Sequence, residues 1–222
     1  MNVNDVYSLM RFIARKNQLT SLSPAEFQYA FNSAQRNYYD FLVGRIEQYR
    51  YDKPTPRVGL SMTDNVVSRL SPFMLSSTPV VSAGSVTKPV GFNKLLSMST
   101  PNNYSMKRFE QNRLAERLQD SIDPINEANA FYVEESNIWR VYPTTGMATV
   151  TIKYLTLPLD VVWAYTLDGS GRPVYNPVGS VSPNWYDNDI DEIVARGLKI
   201  LGVSIKEGAL LNYGQQVIQS GE

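Results

Sequence analysis

The residues of this chain that could do chemistry are carboxylates and arginines, and the densest group is the acidic run from Asp187 to Glu192. Acids at alternate positions are typical of a calcium-binding loop. Such a loop needs glycine at its sixth position, where this chain has Glu192, and a glutamate six residues later, where it has Leu198. The pattern fits better with acids in the first turn of a helix, where the helix dipole favours negative charge.

Two other segments resemble sites only in part. Glu134 and Glu135 could act as paired carboxylates in hydrolysis, but neighbouring strand residues point to opposite faces and cannot converge on one substrate. The segment from Asp168 to Arg172 has the glycines of a phosphate loop, but it lacks a third glycine and a following Lys-Ser/Thr pair. Both segments are predicted to be turns.

A group of basic residues near the middle of the chain could contact nucleic acid. The group consists of Lys107, Arg108, Arg113 and Arg117, interleaved with Glu110 and Glu116. Because acids separate the basic residues, a solvated surface of mixed charge is the better interpretation.

Composition excludes several classes of site. The chain has no cysteine and no histidine, which removes disulfides, thiolate metal sites, cysteine nucleophiles and histidine-based triads. Its 21 basic and 21 acidic residues balance, so the chain as a whole has no electrostatic footprint for nucleic acid. We therefore predict that the protein is not an enzyme and needs no cofactor or metal. A hydrolase that uses carboxylates alone stays a distant alternative.

No targeting segment and no apolar run of the ~20 residues needed to span a bilayer is visible in the sequence. We expect a soluble protein, made in a bacterial cytoplasm, with no membrane partner.

Helices are predicted at both ends of the chain. The first runs from Asp5 to Lys16 with Asn4 as its cap, and a second, roughly 40 Å long, opens at Ser23-Pro24-Ala25-Glu26 and ends near Arg50. Near the other end, an apolar stripe ends at Gly202, a suitable C-cap. A second capping box at Ser204-Ile205-Lys206-Glu207 predicts one more helix.

The middle of the chain is predicted to be β-rich. Alternating apolar residues indicate strands, with a short helix at Thr63 to Leu70 before them. The clearest three strands form a predicted antiparallel meander: Ala130 to Glu134, Asn137 to Tyr142 and Met147 to Leu155. Further extended segments are Pro79 to Val90, Lys94 to Ser99 and Val161 to Leu167. Trp139, Trp163 and Trp185 are predicted core anchors.

These elements predict an α+β fold in which the N- and C-terminal helices pack as a bundle and a central antiparallel β lobe is inserted. The helical domain is predicted to span residues 1–56 and 183–222, and the β-rich lobe residues 57–182. Segment 53–103 is rich in turn residues, and we predict a sheet with a projecting loop there.

Aromatic residues with polar tips, including 14 tyrosines, suit surfaces that are buried against a partner. Packing in the chain's own core explains them equally well. The predicted contact regions are the exposed side of Phe27 to Tyr49, the loop around Pro79 to Asn93, and the tail from Tyr213 to Glu222. The individual candidates are Phe27, Phe31, Tyr38, Tyr39, Tyr49, Val86, Phe92, Trp185, Tyr213 and Ile218.

The order of these motifs resembles the head-to-tail connector proteins of tailed bacteriophages, specifically the neck ring or adaptor proteins of crAss-like and related phages. The resemblance lies in Asn4 to Lys16 followed by Ser23 to Phe27 and Ala34-Gln35, in Leu114 to Pro124 followed by Ile138 to Pro143 and Val150 to Pro158, and in Trp185 to Gly202 followed by Val203 to Glu207.

The resemblance implies a structural virion protein that forms a ring of about twelve copies in the phage neck. It implies docking on the portal protein, contact with further neck or tail proteins, and transient passage of DNA through the lumen. The alternative interpretation is a monomeric binding module, such as a tail-completion or cargo-docking protein.

Overall fold

The computed structural model describes residues 1–16, 22–51, 64–120 and 123–205, and it has an α+β fold. The chain divides into two compact units. The helical unit comprises Met1–Pro72 and Pro158–Glu222, and the β unit comprises Phe73–Leu157. The boundaries therefore lie at residues 72/73 and 157/158, whereas the sequence indicated 56/57 and 182/183. No helix in these ranges is both long and apolar enough to cross a membrane.

Helix α1 (Val3–Lys16) begins earlier than the sequence indicated. The side-chain oxygen of Asn2 accepts a hydrogen bond from the Asp5 amide at 2.9 Å, which satisfies one of the free N–H groups at the helix start. The predicted cap, Asn4, is therefore wrong. The Asn4 side chain lies inside the first turn and accepts a hydrogen bond from the indole of Trp163 at 3.2 Å.

Helix α2 (Pro24–Tyr51) has the predicted capping box at its start. The Ser23 hydroxyl accepts a hydrogen bond from the Glu26 amide at 3.3 Å, and the Glu26 carboxylate accepts one from the Ser23 amide at 2.9 Å. This reciprocal pair fixes the helix start, so that Phe27 and Phe31 face the core and are fully buried.

Replacing Ser23 with alanine should lower the free energy of unfolding by about 1 kcal/mol, because the Glu26 amide loses its acceptor. Urea denaturation followed by circular dichroism measures this loss. The Ser23→Thr variant is the matched control, since it keeps a hydroxyl at the cap and should stay close to wild type. Equal midpoints for the Ser23→Ala variant and wild type would show that the box contributes nothing.

Helices α3 (residues 64–70) and α5 (Asp187–Ile205) complete the helical unit. Helix α5 packs on α1 and α2 around Gly197, where a Cβ atom would lie 3.1 Å from the end of Met10 and 3.8 Å from Ala34. A residue without a side chain thus lets three helices approach closely, and the helices from the two ends of the chain pack together as predicted.

Helix α5 continues through Gly202 to Ile205, so the predicted C-cap at Gly202 is wrong. A glycine ends a helix only where the chain turns into another conformation, and the buried stripe that includes Leu198 and Leu201 carries the helix past it. Ser204 and Ile205 lie inside α5, whereas Lys206, Glu207 and the helix predicted to follow lie outside the described residues.

The β unit contains two sheets and the short helix α4 (Leu114–Gln119). Its strands are β1 (Met74–Ser77), β2 (Ser85–Thr87), β3 (Phe92–Ser99), β4 (Lys107–Phe109), β5 (Phe131–Glu134), β6 (Ile138–Tyr142) and β7 (Thr151–Thr156). One sheet has the order β1–β7–β3 and the other the order β2–β6–β5–β4. Strand β4 runs parallel to β5, so the lobe is mixed rather than wholly antiparallel.

The predicted meander is correct for its first two strands and wrong for the third. Strands β5 and β6 form the expected antiparallel hairpin, but β7 pairs with β1 and β3 instead of β6. The free edge of β6 is taken by β2, where Val86 lies opposite Trp139. Strand β7 is central because Ile152 and Leu155 are buried on its opposite faces.

The core of the β unit forms around Trp139, which is fully buried on β6. The ring of Phe92 meets the Trp139 ring edge-on, with centroids 5.0 Å apart. Val86, Val141 and Ile152 are also fully buried in this cluster. Residues from both sheets therefore share one core.

After the β unit, the chain returns along α2 as an extended segment. The amide side chains of Gln28, Asn32 and Gln35 donate hydrogen bonds to the backbone oxygens of Trp163, Val161 and Leu159, at 2.9 to 3.3 Å. These three amides lie on one face of α2, and they bind alternate residues of the segment. This contact explains why residues 158–182 belong to the helical unit.

The same segment continues into a hairpin of strands β8 (Tyr165–Leu167) and β9 (Pro173–Tyr175). Asp168 closes its turn, since its carboxylate accepts hydrogen bonds from the Ser170 and Arg172 amides at 2.8 and 2.9 Å. An additional bridge joins Val162 and Val181. The turn predicted at Asp168 to Arg172 is confirmed.

Candidate functional site

Three side chains from three helices meet in a hydrogen-bonded cluster within the helical unit. The Tyr38 hydroxyl donates to the Asp189 carboxylate at 2.8 Å, and Arg69 donates to the Tyr38 oxygen at 2.7 Å. Arg69 also lies 3.6 Å from Asp189. Tyr38 is fully buried and Asp189 is 2% exposed. The cluster therefore joins α2, α3 and α5 through charged, hydrogen-bonded groups.

Glu192 and Arg196 extend this cluster along α5. Glu192 lies 3.5 Å from Arg69 and accepts a hydrogen bond from Arg196 at 2.8 Å. The Arg196 guanidinium stacks over the rings of Tyr38 and Phe41, at 5.3 and 5.0 Å from their centroids. Each buried or half-buried carboxylate thus has a cationic partner, as burial of charge requires.

Burial shifts the titration of this cluster. Loss of solvent raises the pKa of Asp189, and the opposing effects of the Tyr38 hydrogen bond and the Arg69 charge do not cancel it. Burial also raises the pKa of Tyr38, with the nearby Glu192 and Asp189 carboxylates adding to the rise. Tyr38 therefore stays protonated at ordinary pH and remains a hydrogen-bond donor.

Replacing Asp189 with asparagine should change how stability depends on pH. A carboxyl whose pKa is raised by folding binds its proton more tightly in the folded state, so its contribution to stability is present at low pH and is lost as pH rises through the folded pKa. The asparagine side chain of the variant does not titrate. The stability of the Asp189→Asn variant relative to wild type should thus improve as pH rises from about 4 towards neutral.

Urea unfolding of both proteins at a series of pH values measures this difference. The Asn188→Ala variant is the control, because Asn188 is an exposed neighbour whose side chain does not titrate. A difference between wild type and the Asp189→Asn variant that is constant with pH would contradict the assignment.

A cleft of about 640 Å³ lies beside the cluster, lined by Asn65, Ser68 and Arg69 of α3 and by residues 185–189. Its carboxylates are occupied by groups of the same chain. Asp189 binds Tyr38, and Asp187 binds the N-terminal amine of Met1. The cleft therefore presents amides, a hydroxyl and an aromatic edge, which suit packing and hydrogen bonding to another protein surface.

The acidic run from Asp187 to Glu192 forms the start of α5, with Asp187 and Asp189 in the first helical turn, as predicted. In the part of the chain that the structure describes, no three acidic side chains lie close enough together to hold a metal ion.

Glu134 and Glu135 bind different cations. Glu134 accepts a hydrogen bond from Lys88 at 3.0 Å and lies 3.3 Å from Arg108, whereas Glu135 accepts one from Arg140 at 2.9 Å. The two carboxylates therefore diverge, as expected for neighbours at a strand end.

The basic group in the middle of the chain is paired with acids. Arg113 lies 3.9 Å from Glu116, and Arg117 lies 2.8 Å from Asp123. With Arg108 paired to Glu134, three of the four basic residues have acidic partners, which agrees with the interpretation as a surface of mixed charge.

Most of the predicted contact residues lie in the core of their own unit. Trp185 is 6% exposed, and Phe92 is partly buried against Trp139. The others with described side chains are fully buried, namely Phe27, Phe31, Tyr38, Tyr39 and Val86. The fully buried residues have no surface to offer a partner in this structure, so core packing accounts for them. Tyr213 and Ile218 lie outside the described residues, as does the side chain of Tyr49.

Exposed apolar side chains remain in two of the predicted contact regions, at Tyr29 on α2 and at Val80 and Val90 in the loop, and a further group lies on the hairpin of β8 and β9. Tyr165 is 48% exposed, Leu167 66%, Val174 49% and the nearby Val178 80%. Sequence analysis found the extended segment that carries the first two of these. Alternation of apolar residues indicates a strand. It does not show that the helices cover only the start of this strand and leave its end exposed to solvent.

Comparison with known proteins gave no assignment. No protein-family model matches the chain, and no curated protein matches it significantly. The function therefore has to be inferred from the chain's own motifs and surfaces.

Sequence analysis also missed the role of Arg69 and Asp189. One signal was present, because Asp189 is four residues before Ile193, and that spacing places it beside the apolar stripe of α5 rather than on its solvent face. No comparable signal marked Arg69, whose partners Tyr38 and Glu192 are more than 30 residues away in sequence.

Proposed function

We propose that this protein is a structural subunit that assembles into a ring in the neck of a tailed bacteriophage, between the portal and the tail. It works by binding copies of itself and neighbouring virion proteins around a channel for DNA, and it transforms no substrate. The order of motifs from Asn4 to Glu207 supports this role through its resemblance to neck connectors.

The observation that carries the proposal is the exposed apolar surface of the hairpin. Large apolar side chains that stay exposed in a folded chain are typical of surfaces that another protein covers. The hairpin residues between 165 and 178 include four such side chains that are 48 to 80% exposed. A catalytic role has no comparable support, because the carboxylates of the cleft already bind groups of the same chain.

A balanced charge also suits this role. With 21 basic and 21 acidic residues, copies of the chain do not repel one another at long range. Near-zero net charge promotes association, and it avoids a strongly basic lining that would hold DNA in a channel.

Cryo-electron microscopy of intact phage particles tests the proposal. We expect density for this fold as a closed ring of about twelve copies next to the portal. A single copy per particle would favour the monomeric tail-completion or cargo-docking module instead. Absence of the protein from the particle, shown by mass spectrometry of purified virions, would contradict both.

A further inference from the structure

The hairpin has one face that begins in the core and ends in solvent. Side chains alternate along a strand, so Val161, Trp163, Tyr165 and Leu167 share a face. Their exposure rises in that order, from 0% and 4% to 48% and 66%. The face is thus covered by the helical unit at its base and uncovered at its tip, although its apolar character does not change.

The second strand supplies the same face of the tip with further apolar groups. Tyr175 lies directly opposite Tyr165, and Pro173 lies directly opposite Leu167. Residues directly opposite each other in an antiparallel pair point to the same side. The tip face is defined here as Tyr165, Leu167, Pro173 and Tyr175.

The edges of this hairpin are protected by their short length and by Pro173, but not by charge. Natural edge strands are blunted by charged residues, and the edge strand β4 of the other unit carries Lys107 and Arg108. Strands β8 and β9 contain no charged residue. A two-stranded hairpin is also marginally stable by itself, so cover from another surface would stabilise it.

We propose that the tip face binds a second copy of this chain. This inference rests on the proposed ring. It identifies the tip face as the surface by which each copy contacts its neighbour. The contact is head-to-tail, since the tip meets a different surface on the next copy, and repetition of such a contact closes a ring.

The exposed area is suited to this partner. On the tip face, Tyr165 and Leu167 are 48% and 66% exposed, and with Leu159, 61% exposed at the base of the hairpin, they leave on the order of 300 Å² of apolar surface exposed. A standard interface buries about 800 Å² on each partner, so these three residues supply roughly a third of one side. The zero net charge of the chain favours a second copy over a strongly charged partner.

A matched pair of variants tests the inference in the purified full-length protein. Leu167→Asp places a charge on the tip face, and Thr166→Asp places the same charge on the neighbouring residue, which points to the opposite face. Sedimentation velocity over a concentration series measures self-association. We expect the Leu167→Asp variant to associate at least about tenfold more weakly, because a buried leucine contributes about 1.5 to 3 kcal/mol. The Thr166→Asp variant should stay within about twofold of wild type.

A photo-crosslinking amino acid at each position gives a second measurement. Covalent multimers should form from position 167 and not from position 166. Equal weakening by the two aspartates, equal crosslinking from both positions, or no multimer from position 167 at the highest concentration would each overturn the inference. Circular dichroism melting of each variant establishes that the fold is kept.

The neck role and the hairpin contact fail in different ways. If particles carry a complete ring built from the Leu167→Asp variant, the hairpin inference is wrong and the neck role stands. If the purified chain crosslinks through position 167 but is absent from virions, the hairpin inference stands and the neck role is wrong.

Discussion

Replacing Trp139 with alanine should lower the free energy of unfolding of the β unit by about 3 to 5 kcal/mol. Trp139 is fully buried at the centre of the cluster that both sheets share. Its loss would leave a cavity beside Phe92 and Val86. A change of this size is a large part of the stability of a typical domain.

Hydrogen exchange measured by mass spectrometry would locate this loss. Peptides from residues 74–156 should exchange faster in the Trp139→Ala variant, because β6 loses its central packing. The fluorescence of Trp163 and Trp185, both in the helical unit, follows that unit separately.

The Trp139→Phe variant is the control for ring size. The indole nitrogen of Trp139 is buried and has no hydrogen-bond partner among the described residues. Replacing the indole with a phenyl ring therefore removes a donor that makes no hydrogen bond and does not stabilise the folded state. The loss should be clearly smaller than for alanine. If alanine and phenylalanine destabilise the unit equally, the core is not centred on this ring.

Replacing Gly197 with leucine should destabilise the helical unit by about 3 kcal/mol. A Cβ atom at this position would already lie 3.1 Å from Met10, 3.7 Å from the Ala30 carbonyl oxygen and 3.8 Å from Ala34. The rest of a leucine side chain would have to push α5 away from the backbone of α2. Thermal or urea unfolding followed at the helical circular dichroism band measures the change.

Gly44 provides the matched control because it lies on α2 with nothing within 4 Å of its Cβ position. The Gly44→Leu variant should be more stable than wild type by about 0.5 to 1 kcal/mol, since leucine has the higher helix propensity. Opposite signs at the two glycines would establish close helix packing as the cause. Destabilisation of similar size at both would indicate that packing at Gly197 is not tight.

Local features of this fold could be predicted from the sequence, because the groups that determine them are close along the chain. The capping box of Ser23 and Glu26 spans one turn, and the turn at Asp168 is closed by bonds to Ser170 and Arg172. The error at Asn4 has the opposite origin, because a distant residue is involved. Asn2 and Asn4 are equally good caps, and only contacts with distant residues decide between them.

Pairing between distant segments could not be predicted in the same way. Strand β7 has the alternation expected of the next strand of a meander, but its partners β1 and β3 lie more than 50 residues earlier in the sequence. Burial of the aromatic stripe on α2 raised the same difficulty. Phe27 and Phe31 have the composition of an interface and of a core, and only the tertiary packing shows that the chain itself covers them.

The chain enters and leaves the β unit at points that lie side by side in the structure. Met74, near its start, lies opposite Leu155, near its end, and the Thr156 hydroxyl donates a hydrogen bond to the Phe73 carbonyl oxygen at 3.4 Å. Both ends of the insertion therefore leave from the same point of one sheet. An insertion with neighbouring ends can be lengthened, shortened or exchanged during evolution while the flanking helices keep their spacing. Such modularity would let related chains retain one helical scaffold and vary the lobe that it carries.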